Sequence, residues 1–212
     1  MDTLAQIKEN LQAGDDEAVG NLTRQAIEEG IPAKQILDAG LIAGMGVVGE
    51  RFKAHEIFLP DVLMAAKAMY AGLDQVKPLL LEEGIPAISK VVIGTIQGDL
   101  HDIGKNLVGI MLKGAGFEVI DLGNDVAPQR FVQTAREQQA PIIGLSALLT
   151  TTMPAMAEVV DLVKDEGLAD KVKIIIGGAP VSQAFAEEIG ADAYGFDAAN
   201  AVERVKGLVS EN

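Results

Sequence analysis

Lys90-Val-Val-Ile-Gly-Thr-Ile-Gln-Gly-Asp-Leu-His-Asp-Ile-Gly104 decides the fold of this chain, because a β-branched apolar run passes through glycine into a polar loop and then into a helical pattern. Residues 90–96 suit a buried strand. Gly98 permits a tight exit, and Gly104 opens an apolar repeat through Leu107, Val108 and Met111. Strand, loop and helix in this order make the first unit of a parallel α/β sheet. Ligands of such sheets gather at the carboxyl ends of the strands, which is where His101 stands, two residues from Asp99.

Toward the C-terminus the same alternation recurs. It predicts strands near 90–96, 117–121, 141–146, 172–176 and 192–195, with helices near 104–115, 128–139, 153–167, 180–189 and 197–210. The expected architecture is a five-stranded parallel sheet in a flavodoxin-like, Rossmann-like α/β domain. Toward the N-terminus, residues 1 to about 83 show helix punctuation and no strand alternation. Asp2 can cap a first helix that Gly14 ends, and Asp15 or Asp16 a second that runs to Gly30. Pro32 suits the first turn of a third, with Gly40, Gly44 and Gly46 where a neighbour can approach closely, and Pro60 starts a fourth. The prediction is an all-α four-helix bundle over 1–84, a linker over 85–89 and the α/β domain over 90–212.

The 212 residues are 49% hydrophobic, enough for a real core. The net charge of −14, with no cluster of Lys and Arg, disfavours nucleic acid and anionic lipid as partners. The absence of cysteine excludes disulfides, thiolate metal sites and a thiol nucleophile. No basic-then-apolar leader and no apolar run of membrane-spanning length are present, so a cytoplasmic protein is expected.

Taken alone, His101 beside Asp99 and Asp102 is either a hydrogen-bonded loop residue or a metal ligand. The ends of two later strands read Gly144-Leu-Ser-Ala-Leu-Leu-Thr-Thr-Thr152 and Ile174-Ile-Ile-Gly-Gly-Ala-Pro180, so small or hydroxyl residues finish three strands that can line one slot. A phosphate loop over Gly98–Gly104 fails on two counts. Five residues rather than four separate the glycines, and Asn106 follows Lys105 where Ser or Thr is needed. No Gly-x-Gly-x-x-Gly opens the first helix of the sheet either.

The three-part pattern Asp99-x-His101-x-x-Gly104, 41 residues, Ser146-x-Leu148, 28 residues, Gly177-Gly178 resembles the cobalamin-binding domain, and its parts span nearly the whole C-terminal half. The resemblance implies a cobalamin or related corrinoid cofactor whose own base leaves cobalt and is replaced by His101. Asp99 would be the hydrogen-bond partner of that histidine and Thr152 the hydroxyl completing the relay, with Leu100, Asp102, Ile103 and Gly104 completing the loop against the cofactor. Ser146, Leu148, Thr150, Gly177 and Gly178 would line the slot for the nucleotide tail. The chemistry agrees, since a neutral imidazole suits a borderline transition metal and a carboxylate on its other nitrogen fixes the tautomer.

The stretch Val48-Gly-Glu-Arg-Phe-Lys-Ala-His-Glu-Ile-Phe-Leu-Pro60 joins the third and fourth helices. It resembles the cap of methyl-transferring corrinoid proteins and methionine synthase, in which a Phe and a Leu seven positions apart press on the methyl group; Phe52 and Leu59 have that spacing. Such a lid excludes water and must move for transfer, which implies a hinge near 84–89. His55 in the same stretch lacks the spacing of a second metal site.

The implied function is that of a corrinoid methyl carrier, methylcobalamin in its loaded form, rather than a complete enzyme alone. It would serve a substrate-specific methyltransferase and an acceptor methyltransferase using tetrahydrofolate or coenzyme M, with a reductive activase as a further partner. Three alternatives stay open. A mutase subunit using adenosylcobalamin leaves residues 1–83 without a role, a light-sensing cobalamin regulator needs an output module that is not visible, and a plain flavodoxin-like signalling module needs no corrinoid.

Overall fold

The computed structural model describes residues 2–84 and 87–210. The described residues form two compact units, 2–84 and 87 with 114–116, and 88–113 with 117–210.

The first unit holds α1 (Thr3–Ala13), α2 (Asp16–Glu28), α3 (Ala33–Gln35), a π-helical stretch (Ile36–Ile42), α4 (Ala43–Lys53) and α5 (Leu59–Glu82). The segments from 33 to 53 follow one another without a break, so they form the expected third helix. Its π-helical portion has no counterpart in the sequence reading, because an apolar pattern of this length does not distinguish the two windings. Gly14 ends α1 with φ of 75°, and the Asp15 carboxylate accepts from the Ala18 N–H at 2.9 Å to cap α2. Asp2 departs from expectation: its backbone takes the extended cap conformation, but its side chain makes no capping hydrogen bond. At Gly40 and Gly44 a Cβ would lie 3.1 Å from Ile7 and 3.2 Å from Leu11, the predicted close approach to α1. Gly46 has open space instead. Pro60 lies in the first turn of α5, where the Asp61 carboxylate accepts from the Phe58 N–H at 2.8 Å. Of the predicted linker 85–89 and hinge 84–89, residues 85 and 86 lie outside the described residues.

The second unit alternates β1 (Lys90–Thr95), α6 (Ile103–Gly114), β2 (Glu118–Asp121), α7 (Pro128–Gln138), β3 (Ile142–Ser146), α8 (Pro154–Asp165), β4 (Lys173–Gly177), α9 (Gln183–Ile189), β5 (Ala193–Gly195) and α10 (Ala198–Ser210). All neighbours pair parallel in the order β2-β1-β3-β4-β5, the five-stranded sheet expected. Because the sheet has helices on both faces, the strand interiors read as continuous Val and Ile rather than alternating. Val92, Ile143, Leu145, Ile174 and Ile176 pack with Phe131 of α7 and Met156 of α8 in one core. A Cβ at Gly94 would stand 2.6 Å from the Phe131 ring, so glycine in mid-strand is what lets that ring lie on the sheet.

From β1 the chain moves outward to β2, then returns past β1 to β3 and continues to the opposite edge. The order reverses between β1 and β3, the position at which sheets of this kind bind ligands.

Candidate functional site

Strand β1 ends against β3 with Thr95 opposite Ser146, and Ser146 in turn opposite Gly177 of β4. The three carboxyl ends are thus level, and the loops after them emerge together. The first loop turns at Gly98, whose φ of 84° is open to glycine at no steric cost. It then delivers Asp99 inward and His101 outward: Asp99 is fully buried, while the His101 side chain is 53% exposed.

A buried carboxylate is costly unless each lone pair is used, and Asp99 uses them from two loops. Oδ1 accepts from the His101 N–H at 3.0 Å and meets His101 Nδ1 at 2.7 Å. Oδ2 accepts from the N–H groups of Leu148 and Leu149 at 2.7 and 3.1 Å and from the Thr152 hydroxyl at 3.2 Å. The same hydroxyl lies 2.9 Å from the Leu149 carbonyl, so its single hydrogen serves one of two acceptors at a time. Burial pushes the Asp99 carboxyl up, but the Leu148 N–H, the His101 N–H and ring, and the Leu149 N–H outweigh it and hold the group well below the ordinary carboxylate range. An ionised carboxylate only accepts. Nδ1 therefore carries the hydrogen, and in the neutral ring Nε2 keeps a lone pair directed away from Asp99.

In the loop that carries His101, Leu100 and Ile103 are 68% and 73% exposed, and Leu148 and Leu149, whose backbone amides meet Asp99, are exposed as well. Clustered apolar exposure beside an available nitrogen lone pair is the chemistry of a site for a metal held in a flat, largely apolar macrocycle. The residues present therefore fit a corrinoid.

The other residues singled out from sequence are placed as follows. Asp102 accepts from the Asn106 N–H through its carbonyl as α6 begins, and Gly104 has open space where a Cβ would be. Thr150 is exposed and Ser146 half-buried. Gly178 has φ of 127°, and a Cβ there would lie 1.8 Å from the Ala147 carbonyl oxygen; at Gly177 it would lie 3.0 Å from the Gly195 carbonyl oxygen. The double glycine thus lets the β4 exit cross the protein's own backbone, beside any role toward a ligand. Phe52 near the end of α4 and Leu59 at the start of α5 belong to the first unit, both half-buried, with the more exposed Phe58 between them. His55 is exposed in that turn with φ of 58°.

Several contributors are not legible in the motif. Leu149 shares the Oδ2 contact with Leu148. The Thr95 hydroxyl donates to the His101 carbonyl at 3.0 Å, and the Asn124 amide to the Leu100 carbonyl at 3.3 Å. Lys105, the lysine of the rejected phosphate loop, is buried and committed to Asp121.

Two models described as a B12 binding domain match the chain, one over residues 89–206 and one over residues 3–77. A corrinoid protein of Desulfitobacterium hafniense is 43% identical over 206 residues, 96% of this chain and 95% of that one. Dimethylamine corrinoid protein 1 of Methanosarcina acetivorans is 49% identical over 177 residues, 83% of each. Among solved structures, the methanol:cobalamin methyltransferase complex from Methanosarcina barkeri includes a chain matching with a TM-score of 0.89 at 32% identity, covering 99% of this chain and 80% of that one. A cobalamin-binding protein from Desulfitobacterium hafniense matches with 0.80 at 35% identity over 98% of both. Among the described residues no helix is long and apolar enough to cross a membrane.

Proposed function

The chain belongs to the B12-binding family and is a corrinoid protein of a methyltransferase system, and from that footing we propose that it carries a methyl group from a donor held by one partner methyltransferase to an acceptor served by a second. When bound, the corrinoid supplies a cobalt centre able to accept and release a methyl group. The chain's own contribution is ligation, orientation and exclusion of water.

One observation carries this reading: the buried Asp99 carboxylate that holds His101 Nδ1 at 2.7 Å. With that nitrogen engaged, Nε2 is the atom through which His101 would hold the cobalt, and the Asp99 contact fixes the tautomer that leaves it available. Thr152, with Asp99 and the Leu149 carbonyl both in reach of its hydroxyl, is placed to adjust its hydrogen when charge at the His101 ring changes. Ser146, Leu148, Thr150, Gly177 and Gly178 provide the slot for the nucleotide tail, with Leu100, Asp102, Ile103 and Gly104 against the ring. Phe52 and Leu59 take the shielding role. The division into 1–84 and 90–212 separates shielding from ligation.

The relatives include dimethylamine and trimethylamine corrinoid proteins and a methanol:cobalamin methyltransferase complex, which favours methylated amines and methanol as the donor class. Tetrahydrofolate or a thiol such as coenzyme M would be the acceptor, and a reductive activase would be a further partner, passing an electron from its own reductant to the bound corrinoid. The match of residues 3–77 to a B12-binding model gives the helical half a place that a mutase subunit does not need.

The test is reconstitution of protein labelled with nitrogen-15 histidine with hydroxocobalamin, reduction to the cobalt(II) form, and electron paramagnetic resonance. Wild-type protein is expected to show the doublet splitting of a labelled histidine nitrogen, lost in His101→Ala with cofactor still bound, where the cofactor's own unlabelled base can give only a triplet. Methyl transfer with paired methyltransferases against methylamines and methanol then assigns the donor. A protein that takes up no cobalamin, or a His101→Ala variant with unchanged nitrogen splitting, overturns the proposal.

A further inference from the structure

The loop that presents His101 is short, polar and largely solvated, and Asp99 alone does not explain why its backbone stays where it is. The segment after β2 supplies the rest. Thr95 donates its N–H to the Gly123 carbonyl at 2.9 Å, Val126 donates to the Thr95 carbonyl at 3.0 Å, and Ile96 and Val126 form a parallel bridge beyond the end of β1. Residues 123–126 thus continue the ladder alongside the start of the His101 loop.

Within that segment Asp125 makes a two-way contact. Its Oδ1 accepts from the Gly98 N–H at 2.7 Å, and its own N–H donates to the Asp99 carbonyl at 3.0 Å. The two residues it pins are the glycine where the loop turns and the aspartate whose carboxylate holds the imidazole. Asp125 does this from φ of 52°, a conformation that costs most side chains and that Asp and Asn tolerate best. Its neighbour Asn124 reaches the Leu100 carbonyl, so the same short segment also grips the residue just before His101.

We propose that Asp125 is a positioning residue for the axial ligand: by holding Gly98 and Asp99 at once it fixes the height and tilt at which His101 is presented. The inference rests on His101 being the cobalt ligand. The hydrogen bonds of Asp125 go to the backbone of Gly98 and Asp99, and it acts through the loop.

The experiment uses the full chain, labelled with nitrogen-15 histidine, reconstituted with hydroxocobalamin and reduced to the cobalt(II) form, comparing wild type, Asp125→Gly, Asp125→Asn and His101→Ala, with the doublet splitting of the labelled nitrogen as the readout. Asp125→Gly keeps the positive φ and the backbone N–H but removes the acceptor for Gly98. Asp125→Asn keeps all three features. Asp125→Gly is expected to lower the ratio of histidine-ligated to histidine-free cobalt, read from nitrogen splitting, by roughly three- to tenfold, the net worth of one ordinary solvent-exposed hydrogen bond. Asp125→Asn is expected to restore it. In parallel, nitrogen NMR of the cofactor-free protein is expected to show the His101 ring in one tautomer in wild type and Asp125→Asn, and averaged between tautomers in Asp125→Gly. A wild-type ratio in Asp125→Gly, with splitting present in wild type and lost in His101→Ala, overturns the role of Asp125 and leaves the ligand assignment standing. Splitting that His101→Ala does not remove overturns the ligand assignment itself. Equal loss in Asp125→Gly and Asp125→Asn also overturns the proposal, since the retained acceptor would then not matter.

Discussion

Lys105 and Asp121 form a lopsided ion pair: the ammonium is 4% exposed and lies 2.6 and 2.7 Å from the two carboxylate oxygens, while the Asp121 side chain still reaches water. The third group on the ammonium is the Asn106 side-chain oxygen at 2.7 Å. The pair ties the first turn of α6, just past the His101 loop, to the end of β2.

The two partners should therefore be unequal under substitution. Asp121→Ala strands a buried ammonium and is expected to cost about 2–4 kcal/mol, whereas Lys105→Met removes the charge and lets Asp121 hydrate, costing about half as much or less. Urea denaturation of both variants measures the difference. A larger loss for Lys105→Met would contradict the asymmetry.

Asp99→Asn exchanges a group with only acceptors for one whose NH2 must face either His101 or the Leu148 and Leu149 amides. At least one donor-to-donor contact results. The expected loss is roughly 2–4 kcal/mol in the cofactor-free protein, from buried donors left without acceptors. Thermal melting of that protein separates this cost from any effect on cofactor binding.

At Gly178 the space is set by backbone rather than by a side chain that can swing away. Gly178→Ala is expected to cost more than about 3 kcal/mol, since both the left-handed conformation and the collision with Ala147 must be relieved. Shifted amide resonances should centre on residues 146–148 and 177–179. A melt within a degree of wild type would show that the two loops separate easily.

Burial raises the Tyr70 phenol above its ordinary value. The unfolded chain loses that proton at about pH 10, where the folded chain still keeps it, so stability declines as pH rises from there toward the raised value. Tyrosinate absorbance should show ionisation above the ordinary tyrosine value that is absent in Tyr70→Phe. Folding stability of Tyr70→Phe should fall less steeply over the same alkaline range.

Much of this was legible because the relevant physics is local. Val and Ile runs mark the strands, Gly14 and Pro60 mark helix ends within a residue, and the histidine motif lies within six consecutive residues. What was not legible depends on distant segments meeting. Leu149 donates to Asp99 across 50 positions, and Asp125 holds Gly98 across 27; neither residue type is unusual in a loop. Lys105 looked like a failed phosphate-loop lysine because only the neighbouring strand supplies Asp121. Asp2 is a good cap by type, yet side-chain capping needs a rotamer that no sequence pattern specifies. The motif assigns the double glycine to a ligand slot, and the fold shows that Gly178 is also room for the Ala147 backbone.

The Asp99 carboxylate gives the chain a built-in gauge. Its one side grips the His101 ring and its other side takes two amide hydrogens from the loop after β3, so charge drawn from the ring is charge withheld from Leu148 and Leu149. By reciprocity, whatever strengthens the hold on the ring alters how often those two amides open to solvent. Their hydrogen-exchange rates therefore register the state of an imidazole nearly fifty residues away, with no probe added to the site.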